Sequence, residues 1–217
     1  MSDEDISLGT ILIFGGCGFL GHHIARQLSI AQDVTSVHVF DIDTSKNRIP
    51  GVTYITGSIT SAQDVSSAFL NVQPKVIFHT VSPGPFLHDN RLFHAVNVTG
   101  TANILVGTQK NTCVKALVYT SSSSVVHDNR TDMIMATGDW PVIVHPTQPE
   151  YYSHTKAFAE AMVLSANGPY LRTVAIRPAG LFGEGDTGTV TRLGYRPRVS
   201  MQEGIERSAK WFSESGL

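Results

Sequence analysis

Short, unbroken apolar runs that alternate with helix-like stretches constrain the fold of this chain more than any other feature of its sequence. The runs Ile11–Phe14, Val76–Phe78 and Ala116–Tyr119 lack the polar alternation of a strand that has one face in water. Such runs are typical of parallel strands that helices cover on both faces. We therefore predict a doubly wound α/β domain built on a parallel sheet.

Turn residues bound each predicted element. With 217 residues, of which 41% are hydrophobic, the chain can bury one substantial core, so one complete domain is the upper limit. A further helix is predicted to begin near Tyr152. The predicted strands are Thr10–Phe14, Val37–Phe40, Val52–Thr56, Val76–His79, Ala116–Thr120 and Thr173–Ile176, and the other predicted helices are Phe19–Ile30, Ala62–Asn71 and Arg91–Lys110.

The composition argues against several classes of partner and site. Sixteen basic and eighteen acidic residues give a net charge of -2 without a basic patch, so nucleic acid is not an expected partner. Neither the two cysteines, Cys17 and Cys113, nor the histidines have metal-binding spacing, so no metal is expected. Residues 1–10 are acidic where a signal peptide is basic and then apolar, and no apolar run is long enough for a membrane span. We expect a cytoplasmic protein in a reducing compartment.

A glycine-rich turn, GGCGFLG, follows the first predicted strand. Gly15, Gly18 and Gly21 stand where the strand gives way to a helix. Glycines here allow a tight turn, close approach of the backbone to a pyrophosphate, and close packing of the helix on the strand. Phe19 and Leu20 open the helix, whose N-terminal N–H groups attract phosphate. The pattern predicts a dinucleotide site, with a tight strand-to-helix connection as the alternative.

Asp41 ends the second predicted strand and follows Gly21 by 20 residues. A carboxylate at this spacing accepts hydrogen bonds from a ribose 2′-hydroxyl and repels a 2′-phosphate. We therefore expect NAD rather than NADP as the cofactor. A helix-capping or turn role for Asp41 or Asp43 is the alternative.

Tyr152 and Lys156 are four residues apart at the start of a predicted helix, which places both side chains on one face. An ammonium beside a phenol favours the phenolate, so the phenol can exchange a proton nearer neutral pH than its free pKa of about 10 allows. A surface helix with a solvated lysine is the alternative. Tyr151 lies five residues from Lys156 and turns to another face, so Tyr152 is the candidate acid and base.

A run of serines, Ser121–Ser124, follows the fifth predicted strand. A hydroxyl at the carboxyl end of a parallel strand faces the crevice in which open α/β sheets bind ligands, where it could hold a substrate hydroxyl for Tyr152. Bonds between the hydroxyls and the local backbone are the alternative. We prefer this alternative for Ser123 and Ser124.

The segments GGCGFLG, VNVTGTANIL, YTSSSS, YSHTK and IRPAGLFGEGD, together with Asp41, resemble the extended short-chain dehydrogenases. Within them the chain is most similar to the 3β-hydroxysteroid dehydrogenases, and there to the fungal sterol-4α-carboxylate 3-dehydrogenase group. The resemblance runs from Thr10 to Asp186 and implies a Rossmann domain. By position it implies that Tyr152 is the acid and base, Lys156 its partner, and Ser122 the hydroxyl that orients the substrate oxygen.

The resemblance also implies an activity, a cofactor and partners. Such enzymes oxidise a 3β-hydroxyl with NAD, and a 4α-carboxylate on the resulting ketone is then lost as carbon dioxide. The implied substrate is a sterol, while peripheral membrane contact, at the cytosolic face of the endoplasmic reticulum, and a homodimer stay open. A nucleotide-sugar epimerase or dehydratase and an inactive NAD-binding isoform are the alternatives. The implied NAD contacts are Gly15, Gly18, Phe19, Leu20, Gly21, Asp41, Ser58, Ile59, Tyr152, Lys156 and Pro178, and Asn97 matches a supporting residue near the active-site helix.

The chain departs from the family pattern at three places. Gly57-Ser58-Ile59 stands where relatives usually carry an acidic residue beside the adenine, and Val81 is bulkier than the usual alanine. After Val190 the sequence runs directly into a segment that resembles the extreme C-terminus of the family, so we expect most of the substrate region to be missing. We expect an NAD-binding domain over residues 1–190 and a residual tail over residues 191–217, with a helical apolar stripe in Gln202–Phe212.

Overall fold

The computed structural model describes residues 7–144 and 146–186. These residues fall into two units, one that ends at Pro178 and a second that begins at Ala179. The first unit contains the sheet and its helices. The predicted junction near Val190, the predicted domain boundary there and the predicted helical stripe in Gln202–Phe212 lie outside the described residues.

Within the described residues, a single sheet of six parallel strands forms the centre of the first unit. The spatial order β3-β2-β1-β4-β5-β6 is that of a dinucleotide-binding domain, and it confirms the predicted α/β class. The strands are β1 (Gly9–Phe14), β2 (Val34–Asp41), β3 (Thr53–Thr56), β4 (Val76–His79), β5 (Ala116–Thr120) and β6 (Arg172–Ile176).

Helices connect most of these strands. The segment His94–Gly100 is π-helical and joins two shorter α-helices, so the predicted helix Arg91–Lys110 is one continuous helix with a widened middle. None of the helices in the described part of the chain combines the length and the apolarity that a membrane crossing requires. The α-helices are α1 (Phe19–Leu28), α2 (Ala62–Val72), α3 (Asn90–Phe93), α4 (Thr101–Lys110) and α5 (Tyr151–Ser165), and a 3-10 turn covers Ser123–Val126.

Local side-chain chemistry sets the ends of α2. Ser61 precedes the helix, and its hydroxyl oxygen accepts a hydrogen bond from Asp64 N at 3.2 Å, which satisfies one of the helix's first N–H groups. At the other end Gln73 takes a left-handed conformation with a φ of 48° and stops the helix. The cap-like serine that the sequence places before this helix therefore acts as its cap.

Helices cover the two faces of the sheet unequally. α2, α4 and α5 pack on one face, in a core that includes Leu12, Phe14 and Phe69. α1 packs on the other face over β1 and β2, around Ile11 and Ile13. Both cores include residues of the continuous apolar runs in the sequence, together with residues of the helices that cover them.

β6 differs from the strands of the continuous apolar runs, because one of its faces is exposed. Val174 is 47% exposed and Ile176 is 53% exposed. β6 is the edge strand and pairs with β5 alone. Residues 177–186, which follow β6, contain no described helix that could return over this face of the sheet.

β1 and β4 are neighbours in the sheet, although β2 and β3 come between them in the chain. The chain leaves β1 toward one side of the sheet and β4 toward the other, so a crevice opens between the carboxyl ends of these strands. Thr80 follows β4 directly, and its N and Oγ1 atoms both donate to Phe14 O, at 2.9 and 2.8 Å. The predicted cofactor loop and the predicted serine run lie at this edge of the sheet.

Truncation of two neighbouring side chains on α2 tests how this helix packs. Phe69 is fully buried with its ring 5.9 Å from that of Phe14, whereas Leu70 is 67% exposed. Phe69→Ala should lower the free energy of unfolding by about 3–5 kcal/mol, and Leu70→Ala by less than about 0.5 kcal/mol. Urea denaturation measures both values. Similar losses for the two variants would contradict the orientation of α2.

Candidate active and cofactor site

The glycine loop after β1 owes its shape to close packing. Gly15 has a φ of +85°, which side-chain-bearing residues rarely adopt. A Cβ atom on Gly21 would lie 2.2 Å from Gly15 O, and one on Gly16 would lie 2.5 Å from Val39 Cγ2. The fold therefore requires glycine at these three positions, whether or not a ligand binds.

Gly18 is different, because the fold does not require glycine there. Its φ of -74° and ψ of 170° are open to any residue, and a Cβ atom would meet only Gly15 O, at 3.3 Å. Gly18 precedes α1 and has no side chain to cap it, so the first-turn N–H groups, including those of Phe19 and Leu20, receive no acceptor from the cap residue. Open space beside such N–H groups fits a pyrophosphate, as the sequence predicts.

Asp41 lies beside the glycine loop at the end of β2. Its Oδ2 atom accepts from Cys17 N at 2.9 Å and its Oδ1 atom from Asp43 N at 3.3 Å. Asp41 therefore has the turn role that was the alternative prediction. Burial, with the nearby carboxylates, raises the pKa of the neighbouring Cys17 thiol to about 11. These two bonds leave other acceptor positions on the Asp41 carboxylate free for ribose hydroxyls. The ribose role of Asp41 stays a prediction.

Ser58 and Ile59 occupy the turn after β3. Ser58 N donates to Asp64 Oδ2 at 3.0 Å, so a carboxylate from α2 holds this turn. Ile59 is 5% exposed and packs in the core, where a Cβ atom on Gly100 would meet Ile59 Cδ1 at 2.4 Å. Because its side chain is buried in the core, Ile59 could contact a cofactor only through its backbone.

Lys156 is buried against the end of β5. It is 2% exposed, its Nζ atom donates to Thr120 O at 2.5 Å, and Nζ lies 4.5 Å from the centre of the Tyr119 ring. Burial lowers the pKa of Lys156 to about 7, and the carboxylate of Glu160, one turn further along α5, acts in the opposite direction. The alternative of a solvated surface lysine is therefore wrong.

Tyr152 lies near the start of α5, with its ring 5.6 Å from that of Phe93. Burial raises the pKa of Tyr152, and hydrogen bonds with the side chains of Ser82 and Ser122 act against that rise. The pKa of the phenol is therefore raised on balance, while the favourable effect expected of Lys156 stays a prediction. The reason is that burial has the larger effect, while the ammonium of Lys156 bonds to a backbone carbonyl.

The serine run lies where β5 ends. Ser122 Oγ accepts a hydrogen bond from Ser124 N at 3.2 Å, so Ser122 caps the 3-10 turn. The two hydroxyl oxygens of Ser122 and Ser124 lie 2.8 Å apart. Ser123 N donates to Pro178 O at 2.9 Å and so ties the run to the residue that ends the first unit. Ser121 Oγ is buried without a partner among the described residues. Local bonding thus accounts for Ser124, and the side chain of Ser122 also acts to lower the pKa of Tyr152.

Asn97 and Ser82 complete the surroundings of Tyr152. Asn97 lies on the π-helical segment and is 1% exposed. Its Nδ2 atom donates to Thr155 Oγ1 at 3.0 Å, and its Oδ1 atom accepts from Ser82 Oγ at 3.2 Å. These bonds hold the Asn97 amide in place, and its supporting role near the active-site helix stays a prediction. Ser82 was not predicted, although it is a polar residue just beyond the carboxyl end of β4, which is the available signal.

A second buried polar group, also missed from the sequence, lies one turn from Lys156. Glu160 is 1% exposed, and Arg177 holds it through Nη2–Oε1 at 2.6 Å and Nε–Oε1 at 3.0 Å. Arg177 Nη1 also donates to Gly138 O and Trp140 O, each at 3.0 Å. The loop before α5 is thereby tied to β6. The spacing of Lys156 and Glu160 on one helix face is the signal that could have revealed this group.

A comparison with known protein families identifies the chain. The sequence profile of the 3-beta hydroxysteroid dehydrogenase/isomerase family matches residues 12–207, which is most of the chain. The chain belongs to this family.

Curated relatives agree with the family. A decarboxylating sterol-4-alpha-carboxylate 3-dehydrogenase of Candida albicans is 39% identical over 197 residues, 86% of this chain and 55% of that protein. The corresponding Bos taurus protein is 39% identical over 176 residues, 80% of this chain and 47% of its own length. The short-chain dehydrogenase/reductase family 42E member 1 of Macaca fascicularis is 36% identical over 197 residues, 85% of this chain and 49% of its own length. The chain thus spans about half the length of the curated relatives it matches.

Solved structures support the fold assigned to this family member. The UDP-glucose 4-epimerase of Thermus thermophilus, in complex with NAD, has a TM-score of 0.68 at 24% identity, over 77% of this chain and 54% of that chain. The enzyme WbmH of Bordetella bronchiseptica, in complex with NAD+, has a TM-score of 0.71 at 21% identity, over 85% of this chain and 62% of that chain. At this identity the likeness concerns the fold alone.

The buried amine of Lys156 should make stability depend on pH. Its folded pKa of about 7 lies below the unfolded value of about 10.4, so between these values the unfolded chain binds more protons. The contribution of Lys156 to stability therefore rises with pH across this window. Lys156→Met removes the titrating amine. The unfolding free energy of this variant should therefore exceed that of the unaltered chain by more at about pH 6 than at about pH 9. Urea denaturation at both values tests this, and parallel stability curves would contradict the burial of the amine.

Proposed function

We propose that this chain binds NAD at the carboxyl edge of its sheet and oxidises a 3β-hydroxysteroid, with Tyr152 as acid and base. A sterol 4α-carboxylate, which loses carbon dioxide after oxidation, is the proposed substrate. One observation carries the proposal: within a member of this family, Tyr152 lies one helical turn before Lys156 on α5, and the buried amine of Lys156 donates to Thr120 O, two residues before Ser122. The relatives named for sterol 4α-carboxylates suggest the substrate.

The cofactor part of the proposal rests on Gly18, α1 and Asp41. The space beside Gly18 and the uncapped first turn of α1 suit a pyrophosphate. The remaining acceptor positions of Asp41 suit ribose hydroxyls, and its charge disfavours a 2′-phosphate. Bound NAD would supply the acceptor for the hydride that leaves C3 of the substrate.

The proton-transfer part rests on Tyr152 and its neighbours. Oxidation requires the phenolate form, which takes the proton of the 3β-hydroxyl while Ser122 orients the substrate oxygen. Burial favours the neutral phenol, so hydrogen-bond donors to the phenolate are needed for it to form. A protonated Lys156 one turn away adds a favourable charge and is available at or below its pKa of about 7.

Carbon dioxide loss needs no further group from the chain. The 3-ketone places a carbonyl β to the C4 carboxylate, and such a β-keto acid decarboxylates readily. The chain therefore has to perform only the oxidation.

The expected junction near Val190 favours one other candidate, an NAD-binding protein without turnover. The chain spans about half of its curated relatives, and the region expected to orient a sterol is the part we predict to be missing. Loss of positioning reduces the rate even where acid and base remain in place. Cofactor binding and substrate turnover must therefore be measured separately.

Cofactor binding is tested first. NADH should bind more tightly than NADPH, because Asp41 accepts from a 2′-hydroxyl and repels a 2′-phosphate. Gly18→Ala should weaken NADH binding roughly tenfold or more, since a Cβ atom fills the space left for the pyrophosphate. Calorimetric titration gives the affinities. Equal affinity for the two nucleotides, or none for either, would refute the cofactor assignment.

Gly21→Ala is the matched control for Gly18→Ala. Its Cβ atom would clash with the backbone, so it should lower the free energy of unfolding, whereas Gly18→Ala should change it by about 1 kcal/mol or less. A large loss of stability in Gly18→Ala would mean that this glycine, too, serves the fold.

Turnover is tested by NADH formation on a 4α-carboxysterol. Tyr152→Phe should reduce the rate roughly a hundredfold or more, and Tyr151→Phe, which alters the neighbouring tyrosine, should retain it. The rate should rise from about pH 7 to about pH 9, because burial raises the pKa of Tyr152 and oxidation needs the phenolate.

The control reactions separate the alternatives. Bound NADH with no sterol oxidation would favour the protein without turnover, and turnover of a nucleotide sugar in place of the sterol would favour an epimerase or dehydratase. If the Tyr152→Phe variant oxidised the sterol at an unchanged rate, Tyr152 would not be the acid and base.

A further inference from the structure

Asn47 lies in the connection between β2 and β3 and contacts the glycine loop. Its Nδ2 atom donates to Cys17 O at 2.8 Å, and its own carbonyl oxygen lies 2.9 Å from His22 Nδ1 on α1. A carbonyl oxygen can only accept, so the His22 ring donates this bond from Nδ1. Asn47 therefore joins the middle of the glycine loop to the start of α1.

The segment that ends β2 and follows it holds both main-chain polar groups of Cys17. Asp41 Oδ2 accepts from Cys17 N at 2.9 Å, and Asn47 Nδ2 donates to Cys17 O. The next N–H group along the chain, that of Gly18, donates to Gly15 O at 3.1 Å. Because the N–H groups of Cys17 and Gly18 bond within the protein, the phosphate donors expected of this loop are those in the first turn of α1.

Close packing fixes the glycine loop at three of its glycines, but not at Gly18. Gly18 is exposed, and its backbone angles are open to any residue. Packing alone therefore does not set the orientation of the peptide between Cys17 and Gly18. The hydrogen bond from Asn47 acts on this peptide, directly before the first turn of α1.

Hydrogen bonds within the connection between β2 and β3 hold the backbone on both sides of Asn47. Asn47 has a φ of 51°, a left-handed conformation that asparagine adopts more readily than most residues. Before it, Asp43 Oδ1 accepts from Ser45 N at 3.0 Å and from Ser45 Oγ at 2.6 Å. After it, Ile49 N donates to the hydroxyl oxygen of Tyr54 on β3 at 2.7 Å. The amide of Asn47 therefore reaches the glycine loop from an ordered turn.

We propose that Asn47 is a positioning residue for the cofactor: its bond to Cys17 O holds the peptide before Gly18 in the form that receives the pyrophosphate of a dinucleotide. The inference rests on the cofactor binding proposed above. A loop that is ordered in advance spares binding the cost of ordering it. Loss of the Asn47 amide transfers that cost to binding, so the affinity for the dinucleotide falls.

Asn47→Gly tests the proposal, because it removes the amide and glycine adopts a positive φ without strain. Its NADH affinity should fall roughly three- to tenfold, the effect of one lost hydrogen bond. Asn111→Gly is the matched control, since Asn111 Nδ2 also donates to a backbone carbonyl, Gly107 O at 2.9 Å, but at the C-terminal end of α4. This control should leave NADH affinity unchanged. Equal NADH affinity in Asn47→Gly and the unaltered chain would overturn the proposal.

A second measurement needs no cofactor and uses the thiol of Cys17. Cys17 is 8% exposed, and in a Cys113→Ser background it is the one cysteine left to react with a thiol reagent. Because opening of the loop limits access to a buried thiol, Asn47→Gly should speed this reaction several-fold, while Asn111→Gly should not. Neither replacement changes a charge, so the rate follows the loop. An unchanged Cys17 rate in Asn47→Gly would overturn the proposal.

Together the two measurements distinguish failure of this inference from failure of the proposed function. Weaker NADH binding with a faster Cys17 reaction in Asn47→Gly would support both. If the unaltered chain bound no NADH, the cofactor assignment would be rejected, and the Cys17 rate would still decide whether Asn47 holds the loop.

Discussion

The pairing of β1 with β4 is the constraint on which the rest of this structure depends. Thr80 donates from both its N and Oγ1 atoms to Phe14 O, and this contact lies where the chain leaves the two strands in opposite directions. The same contact restricts the cofactor loop, because a Cβ atom on Gly15 would lie 2.8 Å from Thr80 Oγ1. Two residues beyond Thr80, Ser82 donates to Oδ1 of Asn97, and Asn97 in turn donates to Thr155 on the helix that carries Tyr152. The predicted cofactor loop and the candidate acid and base therefore both depend on the contact between the ends of β1 and β4.

Buried charge constrains the orientation of α5, the helix that carries the candidate acid and base. Taking the ammonium of Lys156 and the carboxylate of Glu160 out of water is costly, and an ion pair in the interior is weak evidence for net stability. The cost is reduced by specific partners: Thr120 O for Lys156, and the guanidinium of Arg177 for Glu160. Because these partners lie at the ends of β5 and β6, α5 satisfies both charges in one position against the sheet. We regard this as a source of precision at the site rather than of stability.

The order of elements could be predicted because its signals are local. Apolar runs, glycines and the cap at Ser61 each depend on a few neighbouring residues, and the structure retains the predicted order of strands and helices. The coverage of β6 could not be predicted in this way. Whether Val174 and Ile176 are buried depends on a helix from elsewhere in the chain, and a short apolar run carries no information about it. The bonds that join Ser82, Asn97 and Thr155 were missed for a similar reason, since these residues are far apart in sequence.

The sequence by itself determined the α/β class, the place of the glycine loop, and the helical spacing that puts Tyr152 and Lys156 on one face. Each of these follows from the spacing of residue types along a helix or strand and from local sterics, which are properties of short segments. Only the tertiary structure decided the electrostatics of the site. Burial raises the pKa of Tyr152 and lowers that of Lys156 to about 7, opposite to the shifts expected of an exposed pair. The reason is that desolvation depends on every element packed around a group, and these elements meet only in the folded chain.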